Sequence, residues 1–432
     1  MVAGGYILTR QSGKLNGTVP LTGAKNAVLV IIASLILTKG KSTLFNVPNS
    51  VDVCHMIKLL QDLGAVVEFD VQAKKLVVDT TRLEGFEVKP EIMNKMRASI
   101  LVMGPLLARF GKARVALPGG CLIGARPINY HLAGFERMGV KSMENKPFLD
   151  ASIDRNVSSN LRVVFEYPSV GATENVLMFA TLFKGQTTLV NAALEPEVID
   201  LIDILKKMGA QISYQASIIT VTGVSSLSPV THSVIPDRLE AGALLLAAAI
   251  TGGTVSLPDA RADHMDMFLE KLKEMGHHVE CGTHATLEFP LQGILFVATP
   301  EPRAVSFKTG PYPSFPTDLQ APFMAALCLA NGTSVVEETV FENRLVHVQE
   351  LRKMGAQITC QGAKASIHGV DHLYGHEVIA TDIRASCALV LAGLAAEGET
   401  RVVGIHHWSR GYDQLEKKLQ SLGAFIQLKE DI

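Results

Sequence analysis

Residues 204 to 214 read ILKKMGAQISY and contain the end of a helical pattern, a glycine and the beginning of a strand pattern. Before Gly209 the apolar residues recur at helical spacing, and after it they alternate with polar residues as in a half-buried strand. Gly209 stands where helices commonly end in the left-handed conformation, which glycine adopts without steric cost. The stretch therefore predicts an amphipathic helix followed directly by a strand.

The same pattern recurs along the whole chain, and successive glycines are 67 to 79 residues apart. Each copy also contains a second helix that is apolar on every side and must therefore be buried. We predict six copies of one folding unit, with the apolar helices in the middle and with sheets and amphipathic helices outside. The glycines are Gly64, Gly139, Gly209, Gly276, Gly355 and Gly423, and the apolar helices are predicted over 25–37, 96–110, 173–184, 237–251, 318–331 and 383–396.

The composition is that of a packed globular protein. Of the 432 residues, 47% are hydrophobic and 19% are charged, which excludes a disordered chain. Lys plus Arg (40) nearly balances Asp plus Glu (42), so the charge indicates neither nucleic acid nor an anionic membrane as partner. The six cysteines form no CxxC pair and are expected to be reduced thiols. The first ten residues lack the apolar core of a signal peptide, and the apolar run 27–37 is too short to span a bilayer, so we expect a cytoplasmic protein.

A domain boundary is predicted in the segment 223–236, GVSSLSPVTHSVIP, which is rich in Ser and Pro and lies between the third and fourth copies. The stretches that enter the first and fourth copies, VPLTGAKN and SVIPDRLE, occupy equivalent positions. We therefore predict a first domain over 25–236 and a second domain formed by 1–24 together with 237–432. Each domain contains three copies, and we expect a cleft between the two.

Several of the apolar helices begin with charged residues. Cations are disfavoured at helix amino termini, where free N–H groups and the helix dipole carry partial positive charge. Ordinary capping therefore explains the aspartates at these positions better than it explains Lys25, Arg97 and Arg384. If the helix ends converge, they form an anion site surrounded by arginine.

The segment 118–127, PGGCLIGARP, is the stretch that most strongly indicates chemistry. Its glycines allow positive φ or a close approach of the backbone to a ligand, so we predict a loop. Cys121 is placed at its tip, and Arg126 is a permanent cation with a planar group suited to phosphate or carboxylate. A thiol near such a cation is a candidate acid or nucleophile, although a surface turn with an incidental cysteine would have the same sequence.

Eight ordered motifs, spread over essentially the whole chain, resemble those of the UDP-N-acetylglucosamine enolpyruvyl transferase family. The resemblance implies an α/β fold: a two-domain inside-out α/β barrel of six βαβαββ-type units, three per domain, around buried apolar helices. It implies that the first domain carries the catalytic loop 117–127 and that the active site lies in the interdomain cleft. The motifs are PLTGAKNA (20–27), NKMRAS (94–99), PGGCLIGARP (118–127), SVGAT (169–173), SFPTDLQAPF (314–323), ETVFENR (338–344), TDIRAS (381–386) and SRGYDQLEKKL (409–419).

The resemblance also implies a reaction. Phosphoenolpyruvate and UDP-N-acetylglucosamine would give the 3-enolpyruvyl ether and phosphate by addition and elimination, the first committed step of peptidoglycan synthesis and the target of fosfomycin. Such chemistry needs a base, an acid and several cations for a trianionic co-substrate. The resemblance implies a cytoplasmic monomer with these two small-molecule substrates and with no cofactor or metal. The paired histidines 277–278 and 406–407 lack the spacing of metal ligands.

The roles of individual residues follow from the matching motifs. Cys121 resembles the acid that protonates C3, Asp318 the base for the acceptor hydroxyl, and Asp382 the carboxylate that removes the proton in the elimination. The phosphoenolpyruvate set is Lys25, Asn26, Cys121, Arg126, Arg344, Arg384 and Arg410. The nucleotide-sugar set is Arg97, Arg126, Pro127, Ile128, Asn129, Tyr130, Tyr167, Pro168, Ser169, Val170, Gly171, Asp318 and Val340.

The sequence departs from the family pattern at Asn129, where a carboxylate is usual, and at Tyr130, where a leucine is usual. These changes leave open an enolpyruvyl transferase with a different acceptor, such as a uridine nucleotide. A catalytically silent paralogue that binds nucleotide sugar is a second alternative, although the joint presence of Lys25, Cys121 and Asp318 argues against it. The shikimate 3-phosphate branch of the same fold is disfavoured because the loop contains a cysteine.

Overall fold

The computed structural model describes residues 5–93, 96–116, 128–154, 159–282 and 292–429. These residues form two compact units. The central unit comprises the described residues of 23–116 and 128–235, and the terminal unit comprises those of 5–22 and 236–429. Each unit has its own hydrophobic core.

The strands are short, and most have three to six residues. In chain order they are β1 (Tyr6–Arg10), β2 (Asn16–Thr18), β3 (Lys41–Phe45), β4 (Val66–Asp70), β5 (Lys75–Asp79), β6 (Glu87–Val88), β7 (Lys112–Ala116), β8 (Val140–Asn145), β9 (Phe148–Ile153), β10 (Asn160–Val164), β11 (Gln186–Val190), β12 (Gln211–Gln215), β13 (Ile218–Thr222), β14 (Thr231–Ser233), β15 (Thr254–Arg261), β16 (His278–Cys281), β17 (Gln292–Val297), β18 (Phe307–Lys308), β19 (Thr333–Glu337), β20 (Gln357–Gln361), β21 (Lys364–His368), β22 (Glu377–Ile379), β23 (Glu399–Val403) and β24 (Ile426–Lys429).

The helices alternate with these strands. They are α1 (Lys25–Ser34), α2 (Val51–Asp62), α3 (Pro90–Met93), α4 (Met103–Phe110), α5 (Asn129–Arg137), α6 (Val170–Ala180), α7 (Pro196–Lys207), α8 (Arg238–Thr251), α9 (Asp266–Glu274), α10 (Thr317–Leu327), α11 (Val348–Lys353), α12 (Ile383–Ala395), α13 (His406–Gly411) and α14 (Leu415–Ser421). Three 3-10 helices are formed by Leu35–Leu37, Arg97–Val102 and Ala262–His264.

The described residues form six four-stranded sheets of one design. In the sheet β10-β11-β13-β12, the first two strands are parallel and the other pairs are antiparallel. The elements β10, α6, β11, α7, β12 and β13 follow one another in the chain, which is the predicted βαβαββ order. The six-unit α/β fold predicted from the repeat is therefore confirmed.

Three of the six sheets are completed by a strand from a distant part of the chain. The strand β14 pairs in parallel with β3, and β2 pairs in parallel with β15. The strand β1 lies between β23 and β24 and is antiparallel to both. The last strand of the central unit therefore closes its first repeat, and the two amino-terminal strands close the first and last repeats of the terminal unit.

The apolar helices are buried, as the sequence predicts. In the terminal unit α8, α10 and α12 pack against one another, and each residue from Leu239 to Ala249 of α8 is buried. The amino-terminal residues of α10 and α12 include Asp318 and Arg384. Because the helices pack together, these two polar side chains are brought close.

The segment 96–110 differs from the single helix predicted there. It forms a 3-10 helix over Arg97–Val102 and then α4, which begins at Met103. Pro105 is the third residue of α4, where its missing N–H is not needed for the helical ladder. In one continuous helix from residue 97 the proline ring would clash with the carbonyl of the preceding turn. The prediction of a single helix was therefore wrong.

The glycine that follows each amphipathic helix adopts the predicted left-handed conformation. The φ angles at Gly64, Gly139, Gly209, Gly276, Gly355 and Gly423 lie between +77° and +106°. A residue with a Cβ is strained in this region, so the glycines are required by the direction in which the chain leaves the helix.

We expect Gly423→Ala to lower the free energy of unfolding of the terminal unit by about 1–2 kcal/mol. A Cβ at this position has no atom within 4 Å, so the cost is that of the backbone at φ +104°. Gly13→Ala is the matched control, because its Cβ is also in open space and its φ is not in the left-handed region. Trp408, the single tryptophan of the chain, is buried in the terminal unit, and its fluorescence in a denaturant titration reports the unfolding. A loss no greater than that of Gly13→Ala would contradict the assignment.

Candidate active site

Asp318 joins two arginines in the terminal unit. Its Oδ1 accepts a hydrogen bond from Nη2 of Arg344 at 2.9 Å, and its Oδ2 accepts one from Nη2 of Arg384 at 2.8 Å. Asp318 is the second residue of α10 and Arg384 the second of α12, while Arg344 lies in the turns between β19 and α11. Three segments that are distant in sequence therefore meet at one carboxylate.

The two guanidinium groups are more deeply buried than the carboxylate they share. The side chains of Arg344 and Arg384 are 2% and 6% exposed, against 25% for Asp318. Burial by itself would lower the pKa of Arg384, but the charges of Asp318 and Tyr412 and the hydrogen bond to Asp318 raise it well above its usual value. Two buried guanidinium groups therefore share one partly exposed carboxylate.

Tyr412 holds Arg384 from the other side. Its hydroxyl accepts a hydrogen bond from Nη1 of Arg384 at 3.1 Å, and the guanidinium carbon lies 5.6 Å from the centre of its ring. The hydroxyl also forms a hydrogen bond with Cys387, whose pKa burial raises to about 11. Sequence reasoning did not select Tyr412, although it lies within the SRGYDQLEKKL motif, two residues after Arg410.

Asp382 is the N-cap residue of α12. Its Oδ1 accepts hydrogen bonds from the backbone N–H groups of Arg384 at 2.8 Å and Ala385 at 3.1 Å. Burial lowers the pKa of His407 to about 4, and among nearby charges Asp382 opposes this effect and Arg410 adds to it. Asp382 and Arg410 therefore both lie within electrostatic range of His407.

Val340 is fixed to the beginning of α10 through a glutamate that sequence reasoning did not select. The N–H of Val340 donates to Oε1 of Glu338 at 2.8 Å, and Oε2 of Glu338 accepts from the hydroxyl of Thr317 at 2.9 Å. Thr317 directly precedes Asp318. Glu338, which is 2% exposed, thus ties the turn that carries Val340 to the segment that carries Asp318.

In the central unit, Lys25 is the first residue of α1 and forms an ion pair with Asp52, the second residue of α2. The distance between Nζ and Oδ2 is 2.8 Å, and the two side chains are 13% and 3% exposed. The carboxylate compensates a cation at a helix amino terminus, where positive charge is otherwise disfavoured. Asn26, the next residue, is half-buried.

Two tyrosines of the predicted nucleotide-sugar set stack on each other. The ring centres of Tyr130 and Tyr167 are 6.4 Å apart and the rings are nearly parallel, at 24°. Asn129 is exposed, whereas Ile128 and Pro168 are half-buried. Ser169 is the N-cap of α6, and its hydroxyl accepts from the N–H of Ala172, so it fixes the start of the helix that contains Val170 and Gly171.

His131 connects these segments and was missed by sequence reasoning. It is buried, its Nδ1 lies 3.0 Å from the amide nitrogen of Asn175, and its ring lies against Gly171, where a Cβ would be 3.2 Å from Cε1. The amide of Asn175 also accepts from the N–H of Gly104 and donates to the carbonyl of Ile100. In the sequence, only the position of His131 directly after Tyr130 could have indicated that it belongs to this site.

Cys121, Arg126 and Pro127 lie outside the described residues, as does the side chain of Arg97. In the ranges that the structure describes, no three His, Cys, Asp or Glu side chains are grouped as metal ligands. Within the same ranges, none of the helices has the length and apolar character needed to cross a membrane.

Comparison with known proteins gives relatives along the full length of the chain. The family described as EPSP synthase (3-phosphoshikimate 1-carboxyvinyltransferase) matches residues 9–419. A UDP-N-acetylglucosamine 1-carboxyvinyltransferase of Geobacter metallireducens is 45% identical over 423 residues, 98% of each chain. The enzyme of the same name from Thermodesulfovibrio yellowstonii is 46% identical over 415 residues, 96% of this chain and 97% of its own.

Solved structures show the same fold at much lower identity. The enolpyruvyl transferase NikO from Streptomyces tendae has a TM-score of 0.87 at 22% identity over 100% of both chains. An EPSP synthase from Acinetobacter baumannii has a TM-score of 0.76 at 16% identity, covering 98% of this chain and 99% of its own. The chain therefore belongs to the family of EPSP synthase (3-phosphoshikimate 1-carboxyvinyltransferase) and, within it, to the transferases represented by its full-length relatives, the UDP-N-acetylglucosamine 1-carboxyvinyltransferases.

Proposed function

We propose that this transferase moves the enolpyruvyl group of phosphoenolpyruvate to the 3-hydroxyl of UDP-N-acetylglucosamine and releases phosphate, as the first committed step of peptidoglycan synthesis. The observation that carries the proposal is the identity of 45% to 46%, over nearly the whole chain, with enzymes named for this activity. The two buried guanidinium groups beside Asp318 support it, since a trianionic co-substrate needs fixed cations.

The reaction has two steps. In the first, the acceptor oxygen bonds to C2 of the enol, its proton passes to a base, and a proton is added at C3. In the second, C3 loses a proton, the C2–C3 double bond forms again, and the bond from C2 to the phosphate oxygen breaks. The chain must therefore supply a base and an acid for addition, a base for elimination, and cations that stabilise the leaving phosphate.

Asp318 is the proposed base for the acceptor hydroxyl. In the structure its two oxygens accept hydrogen bonds from Arg344 and Arg384. A trianionic co-substrate offers both guanidinium groups an alternative partner of higher charge. Binding of phosphoenolpyruvate would thus free Asp318 to accept the hydroxyl proton.

The other roles are proposals of the same kind. Cys121 is the proposed acid at C3, and a thiol with its ordinary pKa near 8.5 is protonated at neutral pH. Asp382 is the proposed base of the elimination. Lys25, Asn26, Arg126, Arg344, Arg384 and Arg410 are proposed to bind phosphoenolpyruvate, and Arg97, residues 126–130, residues 167–171 and Val340 to bind the nucleotide sugar.

The acceptor depends on the segment that contains Tyr130. The stacked pair Tyr130–Tyr167 offers aromatic surface next to the proposed nucleotide-sugar residues, and aromatic faces stack on any base. This observation keeps a second acceptor, a uridine nucleotide without the sugar, as the alternative. We further propose that the protein acts as a monomer in the cytoplasm, which sedimentation of the purified protein and cell fractionation would test.

We expect phosphate release from phosphoenolpyruvate when UDP-N-acetylglucosamine is the acceptor, and much less with UMP or shikimate 3-phosphate. In Cys121→Ser turnover is expected to fall by about 10²–10⁴-fold, because the proposed acid is lost. The fluorescence of Trp408 and the midpoint of unfolding should stay unchanged in this variant. Release with UMP alone would assign a different acceptor, and no release with any acceptor would favour the silent paralogue.

Fosfomycin, an epoxide that resembles phosphoenolpyruvate, is expected to alkylate Cys121, and peptide mapping of the modified thiol checks this. Cys328 and Cys387 are poor competitors, because burial raises their pKa values to about 12 and 11. Cys54 is exposed and is therefore the internal control for non-specific alkylation. Modification of Cys54 in preference to Cys121 would contradict the proposed role.

Asp318→Asn is expected to lower kcat by about 10²–10⁴-fold, because the amide cannot accept the hydroxyl proton. The loss should remain at saturating concentrations of both substrates in a phosphate-release assay. Glu399→Gln is the matched control, since it removes a carboxylate from the exposed ion pair with Arg10 in the same unit. A kcat within a factor of about three of the parent would remove Asp318 from the base role.

A further inference from the structure

Glu338 is a buried carboxylate between two segments of the terminal unit that carry proposed site residues. Its Oε1 accepts hydrogen bonds from the N–H groups of Val340 at 2.8 Å and Phe341 at 3.1 Å. Its Oε2 accepts one from the hydroxyl of Thr317 at 2.9 Å, and the residue is 2% exposed. Buried carboxylates need such partners, so each oxygen fixes the segment that donates to it.

The turn that follows β19 is held on two sides. On one side, two successive N–H groups of the turn donate to Oε1 of Glu338. On the other, Thr339 donates from its N–H to Oγ1 of Thr309 at 2.9 Å and from its hydroxyl to the carbonyl oxygen of Thr309 at 2.6 Å. Val340, the proposed nucleotide-sugar residue of this turn, is half-buried. Its position therefore depends on Oε1.

The contacts of Glu338 form part of a closed ring that contains Asp318. Thr317, which donates to Oε2, directly precedes Asp318 in α10. Oδ1 of Asp318 accepts from Arg344 at 2.9 Å, and the guanidinium carbon of Arg344 lies 5.3 Å from the centre of the Phe341 ring. Phe341 in turn donates to Oε1. Asp318 is therefore restrained both along the chain and across the cluster.

Closure of the sheet does not explain this glutamate, because two other repeats have an asparagine at the same place. Glu338 directly follows β19, as Asn46 follows β3 and Asn191 follows β11. Each asparagine donates from Nδ2 to the residue after the neighbouring parallel strand, at 3.0 Å to the carbonyl oxygen of Val234 and at 2.9 Å to that of Phe165. Glu338 instead accepts from its own turn and from the beginning of a helix.

We propose that Glu338 is a positioning residue for the transfer reaction: it sets the spacing between the acceptor contact at Val340 and the proposed base, Asp318. This inference rests on the proposed function. A base must lie within hydrogen-bond distance of the hydroxyl that it deprotonates, and a small misplacement is costly in rate. Because one carboxylate holds both segments, an acceptor that contacts Val340 meets Asp318 at a fixed distance.

Two substitutions at residue 317 test the contact with Oε2. Thr317→Val removes the hydroxyl and keeps the branched shape, whereas Thr317→Ser keeps the hydroxyl and is the matched control. We expect kcat for phosphate release to fall about tenfold in Thr317→Val, because Asp318 is less well placed. The KM for UDP-N-acetylglucosamine should stay within a factor of about three, because Oε1 still holds Val340. In Thr317→Ser kcat should also stay within a factor of about three of the parent.

Two substitutions at residue 338 test both oxygens together. Glu338→Ala removes every contact, so we expect kcat to fall and the KM for UDP-N-acetylglucosamine to rise, each about tenfold. In Glu338→Gln the amide oxygen can accept from the turn and the amide N–H can donate to the hydroxyl of Thr317, so most of the loss should be recovered. Equal kcat values in Thr317→Val and Thr317→Ser would overturn the proposal, and this pair decides even where Glu338→Ala fails to fold.

If the parent protein releases no phosphate with any acceptor, the proposed function fails, and a second readout decides about Glu338. With aspartate labelled at the carboxyl carbon, the NMR signal of Asp318 is identified by its loss in Asp318→Asn. We expect this signal to shift further from its parent position in Glu338→Ala than in Glu338→Gln, since both variants lack the carboxylate and only the first lacks the hydrogen bonds. An equal shift in both variants would overturn the inference without reference to activity.

Discussion

The terminal unit depends on one carboxylate shared by two buried cations. Removing Arg344 and Arg384 from water is costly, and the cost is offset because Asp318 accepts from both. The shared contact fixes three segments at once: the beginning of α10, the beginning of α12 and the turn before α11. Loss of the Asp318 carboxylate would leave two buried guanidinium groups without their shared partner, which is why this polar cluster constrains the packing of the apolar helices beneath it.

Those helices are held by six repeats that are not all continuous in the chain. The strands β1, β2 and β14 each complete a sheet whose other strands lie far away in sequence. Such pairing requires closure of a long loop before any favourable contact is made, so it is expected to form late in folding. Once formed, it fixes the ends of each unit into its own first or last repeat. The backbone that leads into α1 and α8 is therefore fixed, and with it the positions of Lys25 and Asp237 at the two helix starts.

The sequence was sufficient to predict the repeated folding unit, but it was not sufficient to predict which polar side chains pair. Gly209 and its counterparts were predictable because a positive φ excludes other residues, and the apolar helices because they have no polar face. Asp318 and Arg384 were predicted as site residues from the resemblance to a family. Tyr412 was missed because its hydrogen bond is with Arg384 on another element, and no local pattern records such a partner. The single helix predicted over 96–110 is divided before Met103, and Pro105 lies in the first turn of α4.

Asp382 shows how one residue can have a structural and a chemical role together. Asp237 has the same cap geometry at α8, where its Oδ1 accepts from the N–H groups of Leu239 and Glu240. The cap alone therefore cannot distinguish a candidate base from an ordinary helix start. What differs is the neighbourhood, since the charge of Asp382 acts on the buried ring of His347 and the half-buried ring of His407. A carboxylate has two oxygens, so one can hold the helix while the other exchanges a proton, and the helix start need not change during turnover.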